Sequence, residues 1–324
     1  MSILTLTMNP AIDICTRVDR VRPVDKMRCD PPRIDPGGGG INVARTVLAL
    51  GATATAVFPA GGYPGRRLEQ LVLAAGVSMR PVPIAEPTRE SVSVTDKTSG
   101  EQFRFVLPGP TLSDAEQQAV LGAVDQAAES AQVVVASGSL PPGVPDDFYR
   151  TLAERMAIRG VPLVLDTSGA ALRHVHSGVF LLKPSVRELG ELFGRRLTGS
   201  DEQIAAAREL ISDRVAHIVV VSLGAGGALA VTSDTQEFFP AIPVPVCSGI
   251  GAGDAMVGGI AVGMVRGMSL GDAVRLGIAA ATAALGAPGS SPGAPERIAE
   301  LFEQLEDDHY VTDDAEQAPS ALPG

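Results

Sequence analysis

Four runs decide the fold class: Val133-Val134-Val135-Ala136-Ser137, Val161-Pro162-Leu163-Val164-Leu165-Asp166, Val179-Phe180-Leu181-Leu182-Lys183 and His217-Ile218-Val219-Val220-Val221-Ser222-Leu223. Each is short, rich in Val, Ile and Leu, and carries a polar residue at or near its end, the mark of a buried strand. Helical patterns at about Asp146–Arg159, Val186–Phe193 and Asp201–Arg214 fall between them. Strands that alternate with helices and are apolar on both faces predict a mostly parallel sheet covered on both sides. Ligands on such a sheet bind beyond the C-terminal strand ends. Asp166, Lys183-Pro184-Ser185 and Ser222-Leu223-Gly224 stand at that edge.

Two segments break the alternation. Residues from about Asp13 to Pro36 carry little helical signal, and Glu90–Val106 reads as two strands around the Thr98-Ser99-Gly100 turn. They predict a small antiparallel sheet projecting as a lid, from about 13–36 and 88–107. The N-terminal Met1–Thr7 run reads as a strand and not as a signal peptide. From about Glu306 to Gly324 the chain is acidic and rich in Pro, Ala and Ser, which predicts a disordered tail after one domain over 1–305.

The 324 residues carry 45% hydrophobic and 19% charged side chains, the balance of a globular protein. With 26 Lys+Arg against 37 Asp+Glu, the net charge is −11, which disfavours nucleic acid and anionic membranes as partners. Three cysteines without C-x-x-C spacing argue against structural zinc and disulfides and fit a reducing cytoplasm. The Ala- and Gly-rich stretches Gly258–Val265 and Gly277–Ala287 are too short to span a membrane and predict closely packed core helices. His174 and His176 alternate like metal ligands but lack a third, so a surface loop is expected there.

Two glycine segments carry chemistry. Cys247-Ser248-Gly249-Ile250-Gly251-Ala252-Gly253-Asp254 runs into an apolar helical pattern, which leaves bare N–H groups and the positive end of a helix dipole facing any anion. Asp254 stands where it can take a proton from an attacking hydroxyl. Pro36-Gly37-Gly38-Gly39-Gly40-Ile41-Asn42 also leads into a helix; its glycines permit close approach of a ligand, and Asn42 offers both donor and acceptor to sugar hydroxyls. No Gly-x-x-x-x-Gly-Lys-Ser/Thr loop occurs, and the dinucleotide fingerprint fails at Leu229 and at Asp254, which removes a dehydrogenase from contention.

In this order and separation, the Gly37–Ala44 and Gly251–Asp254 motifs resemble those of the phosphofructokinase-B branch of ribokinase-like carbohydrate kinases. Leu6–Asp13, Ser137-Gly138-Ser139-Leu140-Pro141-Pro142-Gly143, Lys183-Pro184 with Glu188, and Val221–Gly224 extend the likeness over about residues 3–305. Gly100–Gly109 is similar to the minor ATP-dependent 6-phosphofructokinase type.

The resemblance implies a three-layer α/β/α fold with a β-sheet lid, ATP as phosphoryl donor and Mg²⁺. It implies Asp254 as general base, with an anion hole from the backbone of Gly251, Ala252 and Gly253. Asp13, Gly38, Gly39, Asn42 and Ser139 would hold the sugar, with Lys26 and Arg89 on its phosphate. Lys183, Ser185, Ser222, Gly224 and Gly289 would face the nucleotide, and Glu188 would meet the metal through water. The implied reaction is phosphorylation of a sugar phosphate, first of all fructose 6-phosphate, with tagatose 6-phosphate and fructose 1-phosphate as alternatives, in a homodimer joined through the lid. Three departures from the family pattern stand out: Ser185 for Asn, Ser248-Gly249 for Asp-Thr, and Ala287 for Asn. They predict weak potassium activation and altered ATP handling, and they keep open a catalytically weak sensor of sugar phosphate or nucleotide.

Overall fold

The computed structural model describes residues 2–316, with side chains described to 306. A nine-stranded sheet forms its centre: β1 (Ser2–Leu6), β4 (Thr53–Gly61), β5 (Ser78–Ile84), β8 (Val133–Ser137), β9 (Leu163–Asp166), β10 (Val179–Leu182), β11 (Ala216–Ser222), β12 (Ala228–Val231) and β13 (Gln236–Phe239). Its spatial order is β13-β12-β11-β10-β9-β8-β1-β4-β5. All pairs are parallel except β11–β12 and β12–β13, where a hairpin-like return replaces the helical crossover.

The two-residue period of the strands sorts side chains into two cores. Along β8, Val133 and Val135 face one helical layer while Val134 and Ala136 face the other. The first layer holds α1 (Gly39–Ala49), α2 (Gly62–Ala74), α8 (Ala252–Val265), α9 (Leu270–Leu285) and α10 (Pro295–Glu316); the second holds α3 (Asp114–Ala128), α4 (Phe148–Arg159), α5 (Gly169–Arg173), α6 (Val186–Leu192) and α7 (Ser200–Ser212). The three-layer α/β/α architecture is the one expected from the alternation.

Helix α8 lies between α1 and α9, where small residues let the backbones nearly touch. A β-carbon on Gly259 would stand 2.7 Å from Gly277 Cα, and one on Gly258 would stand 2.8 Å from Thr46 Cβ. Val257 and Ile260 on the same helix are fully buried, each burial contributing about 1.5–3 kcal/mol. This packing fixes the start of α8 against the start of α1.

The lid is a four-stranded sheet of β2 (Ala11–Val18), β3 (Arg33–Gly37), β6 (Arg89–Asp96) and β7 (Gln102–Val106) in the order β3-β2-β6-β7. It is mixed, not antiparallel throughout as expected: its central pair, β2–β6, is parallel. A parallel pair needs a long crossover, and here α1, β4, α2 and β5 of the main layers supply it.

Helix α10 also differs from the expectation, continuing to Glu316 into the segment read as a disordered tail. Buried Ile298, Leu301 and Leu305 anchor its first part, and Glu and Ala propagate a nucleated helix readily. Residues 317–324 of that expected tail lie outside the described residues. His174 and His176 are exposed beside the short α5, in keeping with a surface loop.

Candidate active site

A cavity of about 220 Å³ opens between the lid and the C-terminal edge of the main sheet. Asp13, Arg89 and Arg104 line it from the lid, Gly38, Gly39 and Asn42 from the glycine loop, and Gly251 and Asp254 from the start of α8. Gly38 caps α1 at φ 114° and Gly251 caps α8 at φ 79°, conformations that glycine adopts without the strain of a side chain. The starts of both helices therefore border the same cavity.

Asp254 is held from two sides. Asn42 Nδ2 donates to its Oδ2 at 3.0 Å, and Ser137 Oγ, at the end of β8, donates to Oδ1 at 3.0 Å. Burial pushes the Asp254 carboxyl above its ordinary value, while Asn42, Ser137, Lys183 and Arg104 pull the other way. Asp13 is pushed up to about 6, mainly by burial, with Arg104 and Arg89 opposing and Asp35 and Asp254 adding to the rise. Both carboxylates become better proton acceptors than a solvated aspartate.

A second, mostly apolar cleft of about 620 Å³ adjoins the far side of the α8 N-terminus. Ser222, Gly224, Ala252 and Gly253 line it, together with Ile242, Val246, Ile278 and Leu285. Lys183 lies at the rear: its side chain is 5% exposed, its Nζ is 3.3 Å from Asp166 Oδ1, and a β-carbon on Gly253 would stand 4.0 Å from it. Ser185 pairs with Ser222 in a parallel bridge beside this cleft and closes a capping box with Glu188, whose Oε2 accepts from Ser185 N and Oγ at 2.8 Å each. Asp166 is pushed up to about 6 by burial, against the pull of Lys183, with Asp254 and Glu188 adding negative charge nearby.

The structure thus gathers most residues read from the sequence. Asp13, Gly38, Gly39, Asn42, Arg89, Gly251 and Asp254 share one cavity, and Ser222, Gly224, Ala252 and Gly253 share the other. Ser139 lies in an adjoining groove with Arg89, its Oγ accepting from Asn9 Nδ2 at 3.2 Å. Lys183, Ser185 and Glu188 adjoin the second cleft without lining it, and two positions fall elsewhere. Lys26 is exposed in the connection between β2 and β3 and does not line the cavity of its own chain; the connection is tied to the end of β6 opposite Arg89, where Val21 N donates to Asp96 Oδ2 at 2.8 Å and Lys97 Nζ to Asp30 Oδ1 at 2.9 Å. Gly289 packs on the lid: a β-carbon there would overlap Asp35 and stand 3.0 Å from Arg33 Nε, so this glycine serves close packing against β3.

Sequence reasoning placed Asp166 at the ligand-binding edge without giving it a role, and did not single out Ser137 or Arg45 as site residues. Ser137 stood inside the quoted Ser137-Gly138-Ser139 motif, but its contact with Asp254 spans 117 positions. The neighbouring Gly138 carbonyl accepts from Tyr149 Oη at 2.8 Å and Thr167 Oγ1 at 3.0 Å, which holds the cavity wall in place.

Two compartments that meet at one helix start, an apolar cleft on one side and a polar cavity under a lid on the other, suit transfer of a phosphoryl group to a sugar hydroxyl. The arrangement defines a carbohydrate kinase. The chain belongs to the pfkB family of carbohydrate kinases, whose family model matches residues 6–297. It is 53% identical over 315 residues to an ATP-dependent 6-phosphofructokinase isozyme 2 of Mycobacterium tuberculosis, covering 95% of this chain and 93% of the relative. An ATP-dependent 6-phosphofructokinase isozyme 2 of Escherichia coli is 40% identical over 286 residues, covering 87% and 92%. The crystal structure of phosphofructokinase-2 from Escherichia coli in complex with fructose-6-phosphate superposes with a TM-score of 0.88 at 37% identity, covering 94% of this chain and 99% of that one.

Proposed function

We propose that this chain transfers the γ-phosphoryl group of ATP to the free primary hydroxyl of fructose 6-phosphate, giving fructose 1,6-bisphosphate and ADP. The observation that carries this reading is the half-buried Asp254 carboxylate at the junction of the two compartments, held by Asn42 and Ser137. The 6-phosphofructokinase names of the relatives at 53% and 40% identity support the substrate.

Asp254 takes the proton of the attacking hydroxyl, and its raised proton affinity suits that task at neutral pH. The N–H groups of Ala252, Gly253 and Asp254, unpaired at the first turn of α8, receive the charge that develops on the transferred group. Lys183 reaches the same place from the opposite side. Asp13, Asn42, Gly38 and Gly39 orient the sugar, and Arg89 and Ser139 meet its phosphate. Arg89 Nε is buried without a partner, a donor that a phosphate oxygen would satisfy.

Mg²⁺ suits the residues present. Among the described residues no group of three or more His, Cys, Asp or Glu side chains gathers as a cage, and Mg²⁺ typically keeps its waters and binds through phosphates and one or two carboxylates. Asp166, whose proton affinity is raised first of all by burial, and Glu188 are the carboxylates that would meet its water shell. When bound with the nucleotide, the ion neutralises charge on the phosphates.

On one face of the lid Phe103 (37%) and Phe105 (57%) are exposed opposite Val94 and Val92, a face that a second copy would cover in a two-fold homodimer; sedimentation at micromolar concentration tests it. No helix among the described residues is long and apolar enough to cross a membrane. The three free cysteines suit a cytoplasmic enzyme. A coupled assay with ATP, Mg²⁺ and a panel of fructose 6-phosphate, tagatose 6-phosphate, fructose 1-phosphate, fructose and ribose tests the whole reading. Rapid use of fructose 6-phosphate is expected; turnover of free sugars with fructose 6-phosphate ignored overturns the substrate, and no turnover of any sugar favours the sensor.

A further inference from the structure

Arg45 stands one helical turn after Asn42 on α1 and is 9% exposed. Its Nη1 faces Asn42 Oδ1 at 3.4 Å, Ser290 O at 2.9 Å, Ser290 Oγ at 3.0 Å and Pro36 O at 3.5 Å. Its Nη2 lies 3.9 Å from Asp35 Oδ1. A guanidinium carries donors only, so the Asn42 atom facing it is the acceptor, Oδ1. That choice leaves Nδ2 to face Asp254. With the amide turned over, donor would meet donor at Arg45 and acceptor would meet acceptor at Asp254. The same guanidinium braces Ser290, whose Cβ lies 3.8 Å from where a β-carbon on Gly251 would stand.

We propose that Arg45 is a positioning residue for phosphoryl transfer, acting through Asn42 to fix which end of its amide meets Asp254. This rests on the reading of Asp254 as the base. Arg45 touches neither compartment, so its effect on Asp254 reaches the reaction through Asn42. Around Asp254, the Asn42 and Ser137 donors and the Lys183 and Arg104 charges favour the ionised form, whereas Asp13 and Asp166 oppose it. Around Arg45 stand the Asp35 and Asp13 carboxylates and the Arg33 cation. Loss of Arg45 frees the Asn42 amide to rotate, weakens one of the two bonds to the carboxylate, and makes Asp254 harder to ionise. The buried Asp35 keeps Arg33 at 2.7 Å, so the substitution does not leave it without a cation.

The test is a double-mutant cycle of Arg45→Met and Asn42→Ala, with kcat/KM for fructose 6-phosphate followed across pH and Asp254→Asn measured alongside. Arg45→Met alone should lower kcat/KM by about tenfold or more and move the acid limb to higher pH. In the Asn42→Ala background it should change kcat/KM by less than about twofold, because the residue it acts through is gone. Equal fold losses in both backgrounds, or an unmoved acid limb, overturn the inference while Asp254 stands if Asp254→Asn is inactive. Near-normal turnover of Asp254→Asn overturns the base and this inference together. If Arg45→Met loses its cooperative thermal transition, Arg45→Lys replaces it in the same cycle. The lysine keeps the charge, but one nitrogen cannot replace Nη1 at Asn42 and Ser290 together with Nη2 at Asp35, so a smaller loss with the same non-additivity is expected, and an additive loss overturns the proposal.

Discussion

Asn42 and Asp254 stand 212 positions apart in the chain and meet through a 3.0 Å hydrogen bond from Nδ2 to Oδ2. The bond joins the first turn of α1 to the first turn of α8. Its geometry is set by the packing of those two helices, where Gly258 lies against Thr46. The residue that would orient the sugar and the residue that would deprotonate it are therefore held as one unit.

Replacing Asp254 with Asn keeps the shape and one acceptor for Asn42 or Ser137 but removes the proton acceptor. Turnover should fall by about 10²–10⁴. Fructose 6-phosphate binding by calorimetry should change little. Near-normal turnover in a steady-state assay would show that another group takes the proton.

Arg89 donates to Asn9 O at 3.0 Å and Leu107 O at 3.1 Å, leaving its buried Nε for the ligand. A charge-assisted bond to phosphate contributes about 1.5–3 kcal/mol. Arg89→Ala should raise the KM for fructose 6-phosphate by roughly ten- to a hundredfold and leave the KM for ATP nearly unchanged. An equal rise in both constants would place Arg89 outside the sugar-phosphate subsite.

A β-carbon on Gly39 would overlap Ser137 Oγ and stand 2.8 Å from the Ser137 carbonyl oxygen. Gly39→Ala should therefore push Ser137 away from Asp254 and cost about 1–3 kcal/mol of stability by overpacking, with a marked fall in kcat. Chemical denaturation and steady-state kinetics on the same preparation check both effects. A fully active and stable variant would mean that the loop relaxes without moving Ser137.

Asp13 is raised to about 6 in the folded state from an ordinary 3.8, so the native protein holds this proton more tightly than the unfolded chain. Its contribution favours folding most below pH 4 and is lost as pH rises through 6. Asp13→Asn should raise Tm, with a gain that grows between about pH 4 and 6 and flattens above, while fructose 6-phosphate binding is lost. Thermal unfolding at a series of pH values checks this; a gain independent of pH would remove the titration of Asp13 as its cause.

Ser248 is buried and its Oγ accepts from Ile250 N at 3.2 Å, while a β-carbon on Gly249 would meet open space. A side chain has room at Gly249, but neither position carries a charge. Potassium at constant ionic strength should stimulate the rate by less than about twofold, since the anionic ligand such an ion favours is missing. A several-fold specific stimulation would mean that other oxygens complete the site.

The sequence alone determined the layered fold, because strand and helix are written in local periodicity. The Val133–Ser137 and His217–Leu223 runs alternate between two helical layers as a period of two requires. It also determined both glycine turns, since Gly38 and Gly251 adopt backbone angles that other residues resist. Only the tertiary structure decided the parallel pairing of β2 with β6, which depends on a long crossover, and the place of Gly289 against Asp35 and Arg33. It alone kept Lys26 out of the cavity of its own chain and brought Ser137 and Arg45 to the support of Asp254 and Asn42. The reason is physical. Local preference fixes an element from its own residues, whereas a carboxylate's proton affinity and an amide's orientation depend on burial and on partners a hundred or more positions away.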